Sequence, residues 1–262
     1  MTLADCIIPD WPAPRNVRAL ITTRSGGVSA GPYRSFNLGD QVDDQPQAVA
    51  ENRRRLRCHL PADPLWLSQR HETVVADAGA ASPARNSLRT AGTGGERSGD
   101  WVRPFADAGV AHRTNAVCAV LTADCLPVLL CDRAGSCVAV AHAGWRGLAA
   151  GIIEETVRAM RVQPSTLIAW LGPAIGPRKF EVGDDVLRAF TLPNAAAKSA
   201  FIALRESKWL ADIYALARMR LIACGVTAIY GGEYCTVSDD RFFSHRRDKI
   251  TGRFASLIWL AN

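Results

Sequence analysis

Cys125 and His142 are the residues whose types and setting point most directly to chemistry. The first lies in Leu121-Thr-Ala-Asp-Cys125-Leu-Pro127, the second in Val140-Ala-His142-Ala-Gly-Trp-Arg-Gly147. Each ends an apolar, strand-like run and is followed at once by turn residues. A thiolate and an imidazole delivered to neighbouring strand ends can hold a metal ion, or act as a nucleophile with its base. A structural zinc site would need four ligands at short spacings such as CxxC, and the chain has no CxxC. A catalytic site needs three ligands and keeps one position open. The five histidines stand at 59, 71, 112, 142 and 245. His59 falls late in an expected helix, His112 in a polar loop, and His245 among arginines that oppose a cation. Local setting therefore favours His71 as third ligand. The plainer alternative remains open at this point: a strand-end histidine held by hydrogen bonds, and a cysteine packed in the core.

The elements that must position these residues follow from periodicity. Strands are expected over 17–23, 116–121, 128–131, 136–141, 167–171, 226–230 and 254–260, with a turn at 132–135 making a central hairpin. A short strand starting at 65–67 runs toward Gln69 and His71 and resumes at Val74-Val75. Helices are expected over 48–60, 148–161, 186–190 and 209–224. The hairpin among alternating helices and strands predicts an α/β (α+β) fold, one domain of mixed sheets flanked by helices. The Gly/Ala/Ser/Thr-rich stretch 79–100 reads as a flexible insertion loop, and lacks the Lys-Ser/Thr ending of a phosphate-binding P-loop.

Composition narrows the class. The 262 residues are 48% hydrophobic and 21% charged, with 31 basic and 25 acidic side chains. That is enough apolar material for a large core. Only four of the basic residues are lysines, and arginine's planar fork suits phosphate or carboxylate. Apart from Arg53-Arg-Arg55 with Arg57 and the pair Arg246-Arg247 there is no dense basic tract, so nucleic acid is not the expected partner. No run reaches the roughly 18 apolar residues of a membrane helix, and the first ten residues do not read as a signal peptide. Eight scattered cysteines, several inside apolar runs, read as free thiols in a reducing compartment, and hence a cytoplasmic protein.

The chain resembles the YfiH-like family, also called the multicopper polyphenol oxidase or laccase-domain family and now viewed as purine nucleoside phosphorylases. The segments that carry the likeness are Thr22-Thr-Arg-Ser-Gly-Gly-Val-Ser29, Phe36-Asn-Leu-Gly39, Thr122-Ala-Asp-Cys-Leu-Pro-Val128 and Ala141-His-Ala-Gly-Trp-Arg-Gly147. Leu171-Gly-Pro-Ala-Ile-Gly176, Tyr234-Cys-Thr236, Phe242-Phe-Ser-His-Arg-Arg-Asp248 and Thr251-Gly-Arg253 extend it over nearly the whole chain. The resemblance implies a zinc held by His71, Cys125 and His142. It also implies phosphorolysis of adenosine, inosine, guanosine and methylthioadenosine, together with adenosine deaminase activity. Two departures stand out. The family's Gln-Val-His-Gly is here Gln69-Arg-His71-Glu72, and its Tyr in Phe-Phe-Ser-Tyr-Arg-Arg is His245.

Such a reaction must hold phosphate, and arginines suit that task. The candidates are Arg24, Arg146, Arg246, Arg247 and Arg253. Arg146 is favoured because it opens the helix after His142, where backbone donors add to the field. Asp124 is read as a proton shuttle, a partner of the metal site or a turn residue; Asn37 as a substrate contact or an Asx turn. Three rival functions share these residues. A copper polyphenol oxidase would need more imidazoles than five histidines supply, although a His/His/Cys site can take up copper. A Cys125 nucleophile with His142 as base would give an amidase acting on peptidoglycan precursors. The third rival is a metal- or partner-binding module without turnover. Monomer and homodimer are both compatible with the sequence.

Overall fold

The computed structural model describes residues 2, 5–79, 95–98 and 101–262. Two sheets form its centre. The first has five strands in the order β1 (Cys6–Ile7), β2 (Val17–Thr22), β16 (Phe254–Leu260), β8 (Val117–Thr122) and β3 (Pro64–Leu65). The second has six, in the order β15 (Ala228–Gly231), β11 (Leu167–Leu171), β9 (Leu126–Asp132), β10 (Val138–Ala143), β7 (Ala108–Ala111) and β4 (Val75–Asp77). Both are mixed: β3 runs parallel to β8, β4 to β7 and β15 to β11, while the other neighbours are antiparallel.

Alternation along the strands builds three apolar layers. Ile21, Val120, Leu129, Val140, Trp170, Phe254 and Ile258 fill the space between the two sheets. Leu130, Ala139, Ala141 and Ala169, one position out of phase, face α3 (Ile152–Ala159), α4 (Asp184–Thr191) and α5 (Ile213–Ala223). On the far side, Leu20, Ala119 and Leu257 pack against Leu56 of α1 (Pro46–Arg57). The hairpin expected at 128–141 is the β9–β10 pair. Asp132 Oδ1 accepts from the backbone N of Ser136 and Cys137 at its turn, and Gly135 has φ +66°.

Three expectations are corrected. The helix read over 148–161 is two helices, α2 (Trp145–Ala150) and α3, because Gly151 adopts φ +107° between them. The stretch 209–224 divides into β14 (Lys208–Ala211) and α5. Asp212 caps α5, its side chain accepting from Ala215 N. β14 lies between β12 (Glu181–Gly183) and β13 (Phe201–Arg205) in a small sheet that apolar spacing did not reveal. The strand expected from 65 through 75 does not exist as one strand: β3 and β4 belong to different sheets, and residues 66–74 cross between them. Of the stretch 79–100 read as an insertion loop, residues 80–94 and 99–100 lie outside the described residues. Within it, β5 (Gly95–Ser98) pairs antiparallel with β6 (Trp101–Pro104).

Candidate metal centre

Two crossings between the sheets carry two of the three expected ligands. His71 lies on the 66–74 crossing from β3 to β4, and Cys125 on the three-residue turn from β8 to β9. His142 lies on β10, paired across the ladder with Pro127 just past that turn. Sheet register therefore brings His142 beside Cys125, and the crossing brings His71 to both. The ligand atoms of all three lie within 4.8 Å of one another. Cys125 Sγ is 3.7 Å from His71 Nε2, and the two imidazole rings are 4.8 Å apart, edge to face.

Asp107, fully buried just before β7, holds both histidines. Its carboxylate accepts from the backbone N of Arg70, His71 and Glu72 at 3.0, 2.9 and 2.8 Å. This fixes the left-handed backbone of His71, at φ +62°. The same carboxylate lies 2.8 Å from His142 Nδ1, and Asp107 O accepts from His142 N at 2.7 Å. With Nδ1 engaged, His142 presents Nε2 as its free donor atom, the arrangement typical of metal-bound histidine. Burial pushes the Asp107 carboxyl up in pKa, but His142 and the N–H groups of Glu72 and Arg70 overcome it and hold it below its usual range. Gln69 ties the same crossing to β8: its Nε2 donates to Leu121 O at 2.9 Å and its Oε1 accepts from Leu121 N at 2.8 Å.

The glycines of the His142 motif are steric requirements. A Cβ on Gly144 would fall 2.6 Å from His71 Cδ2 and 3.0 Å from Cys125 Sγ; one on Gly147 would fall 3.1 Å from Glu72 O. The electrostatics are those of a thiolate–imidazolium pair. Burial pushes the Cys125 thiol up, but the charge and hydrogen bonds of His142 and His71 outweigh it and draw it down to about 6. Burial pulls His142 down, but the Cys125 thiolate and Asp107 outweigh it and lift His142 to about 9. The donor set fits a borderline-soft divalent ion. Tetrahedral bonds of roughly 2.0–2.3 Å put neighbouring donor atoms roughly 3.3–3.8 Å apart, close to the separation of His71 and Cys125.

The cluster lines a cavity of about 350 Å³, bordered also by Asp40, Gln69, His245 and Arg253. Of the five arginines named from sequence, Arg253 alone borders it. Arg146 is exposed, its guanidinium 4.4 Å from the ring of Trp145, and it lies on a helix of only six residues. Arg24 donates to Arg34 O and stacks on Phe243. Arg246 donates to Glu181 O, and Arg247 to Asp248 and to the carbonyls of Thr236 and Phe242. Asn37 is buried. Its Oδ1 accepts from Gly39 N and Arg253 N while Nδ2 donates to Gly39 O and Asp44, so it is the Asx turn and a brace for Arg253. Asp124 uses both carboxylate oxygens, on Thr236 Oγ1 at 2.5 Å and Arg246 N at 2.6 Å, which anchors the turn bearing Cys125. Sequence reasoning missed Asp107. A carboxylate just ahead of a short apolar strand was the one available signal, and β7 itself was not foreseen. All eight cysteines are free thiols, as expected. No helix among the described residues is long and apolar enough to cross a membrane.

Comparison with known proteins agrees with this picture. A purine nucleoside phosphorylase of Pseudomonas aeruginosa is 52% identical over 256 residues, covering 97% of this chain and 98% of its own. The purine nucleoside phosphorylase YfiH of Escherichia coli is 49% identical over 261 residues, covering 98% and 100%. A crystal structure of a Neisseria meningitidis protein superposes with a TM-score of 0.89 at 49% identity, covering 98% of this chain and 100% of that one. The family model described as multi-copper polyphenol oxidoreductase laccase matches residues 18–261. With its two sheets, its His/Cys/His cluster and these relatives, the chain belongs to the YfiH family of laccase-like proteins.

Proposed function

We propose that this protein is a zinc-dependent purine nucleoside phosphorylase. It would convert adenosine, inosine, guanosine or methylthioadenosine and phosphate to the free base and the sugar 1-phosphate, and would also deaminate adenosine. The observation that carries the reading is the convergence of His71, Cys125 and His142 on the lining of a cavity of nucleoside size. Relatives about half identical to it over nearly their whole length bear the phosphorylase name. When bound, the ion would supply a Lewis acid toward a substrate oxygen or nitrogen and, for deamination, would acidify water.

The chain's own residues do the rest. Asp107 keeps His142 Nδ1 protonated and the backbone of residues 70–72 in place, so the three donors are preorganised. In phosphorolysis a phosphate oxygen bonds to ribose C1′ as the C1′–N9 bond breaks. The purine leaves with the bonding pair and takes up a proton. Arg253 borders the same cavity.

The purified protein tests this when assayed for metal by mass spectrometry and with adenosine plus phosphate by chromatography. Phosphate-dependent release of adenine or hypoxanthine with ribose 1-phosphate is the expected result. Inosine and ammonia without any sugar phosphate would leave only a deaminase. Metal without turnover would leave only a binding module.

One observation favours a second reading. The lowered Cys125 thiol beside the raised His142 is also the signature of a nucleophile with its base, as an amidase of peptidoglycan precursors would need. A chelator that abolishes turnover argues for the metal; an acyl group trapped on Cys125 argues for the amidase. Copper suits the same donors, and oxidation of a phenol by the copper-loaded protein is the outcome that would favour the oxidase alternative.

A further inference from the structure

The charged groups bordering the cavity do not cancel one another. Asp40 is already engaged by two guanidiniums: Arg103 Nη1 donates to its Oδ1 at 2.6 Å, and Arg53 Nη2 lies 3.3 Å from the same oxygen. Arg253 is held differently. Its Nη1 donates to the carbonyls of Thr251 and Gly252, both at 3.0 Å, and its backbone N donates to Asn37 Oδ1 at 2.8 Å. Its stem packs on Gly39, where a Cβ would fall 2.8 Å from Arg253 Cγ.

The guanidinium is thus fixed in place, yet Nε and Nη2 have no partner among the described residues, and no carboxylate there forms an ion pair with it. Arg53, Arg220 and Arg247, also half-buried, each meet a carboxylate, whereas Arg24, Arg218 and Arg246 donate to carbonyls alone. A half-buried cation without a counter-ion is costly to keep. The anion nearest in effect is the Cys125 thiolate, whose charge is spent once a metal is bound. His245 borders the same cavity and begins the one-turn helix α6 (His245–Asp248). Its ring has no hydrogen-bond partner among the described residues. The neighbours Arg246 and Arg247 turn to Glu181 O and Asp248.

We propose that Arg253 and His245 form an oxyanion subsite on the cavity wall beside the metal ligands, and that it takes the phosphate co-substrate. The second half of the proposal rests on the phosphorylase reading. A fork with two open N–H groups and an imidazole donor suits a tetrahedral oxyanion. The remainder of the cavity is left for the nucleoside.

The test uses metal-loaded protein. Inorganic phosphate is titrated in by calorimetry, and phosphorolysis of adenosine is followed with each substrate varied in turn. Arg253→Gln should raise both the Kd and the KM for phosphate roughly ten- to hundred-fold, the loss of one or more charge-assisted hydrogen bonds. The KM for adenosine and the metal content should stay near wild type. Arg253→Lys should recover part of the affinity, and His245→Gln should weaken phosphate roughly threefold or more. If Arg253→Gln does not fold, the lysine and His245 variants carry the test. Phosphate that binds in an Arg253-dependent way without nucleoside cleavage would keep the subsite and remove the phosphorylase reading. Cleavage with a phosphate KM indifferent to these variants would keep the reading and overturn the subsite, as would a wild-type protein that binds no phosphate.

Discussion

Asp107 makes four hydrogen bonds with its two carboxylate oxygens, three to consecutive backbone N–H groups and one to the His142 ring. An asparagine there keeps one acceptor but turns an N–H₂ group toward donors. Asp107→Asn should therefore weaken zinc binding roughly 10–100-fold, read by competition with a chromophoric chelator; unchanged affinity would show that the carboxylate does not position the ligands. The thiolate–imidazolium pair sets the pH dependence of the same measurement. Below about 6 Cys125 holds a proton that a metal must displace, and up to about 9 His142 still holds one. Zinc affinity should rise roughly tenfold per pH unit between those values, more steeply below them, and level off above. A flat profile across that window would refute the pairing. Cys125 and His142 were legible as candidate ligands because each ends a strand-like run and carries a donor atom suited to a metal. Asp107 was not, since nothing in a linear spacing of 35 residues says that its oxygens meet His142. The arginines were over-read for a related reason: sequence shows charge, not whether a nearby carbonyl or carboxylate already uses it.

At the scale of elements, the His142 motif works by what it lacks. Gly144 has ordinary backbone angles, φ −61° and ψ 153°, so alanine there strains nothing locally. Its methyl group would instead press on His71 and Cys125. Gly144→Ala should keep its circular dichroism spectrum and lose roughly tenfold or more in metal affinity; full retention of metal would contradict the packing described. Tyr214 on α5 offers a contrast, because its hydrogen bonds go to loop backbone and not to His71, Cys125 or His142. Its hydroxyl accepts from Ala174 N at 2.9 Å and donates to Tyr234 O at 3.0 Å, tying the loops after β11 and β15 together. Tyr214→Phe should cost about 1–3 kcal/mol in chemical denaturation, because a buried N–H loses its partner. Elements with strong apolar runs, such as 167–171 and 254–260, were readable at their true limits. The small sheet of β12, β13 and β14 was not. β13 buries only Phe201, so no hydrophobic face marked it, and Trp209 and Leu210 passed for the start of a helix.

For the molecule as a whole, a site built only in the folded state couples metal to stability. At roughly a hundredfold excess over Kd a bound ion adds about 2.7 kcal/mol. Chelation should therefore lower Tm by roughly 5–10 °C for a chain of this size, in a thermal melt with and without chelator. An unchanged Tm would mean that the donors bind no ion tightly. The donors also stand where the backbone passes from one sheet to the other, two of them on the crossings themselves. Any slippage of one layer over its neighbour must change all three separations together, so ion occupancy acts as a gauge of interlayer alignment. Trimming Phe254 to leucine, deep in the shared interior and not itself a donor, should loosen the grip on a bound ion even though His71, Cys125 and His142 are all intact.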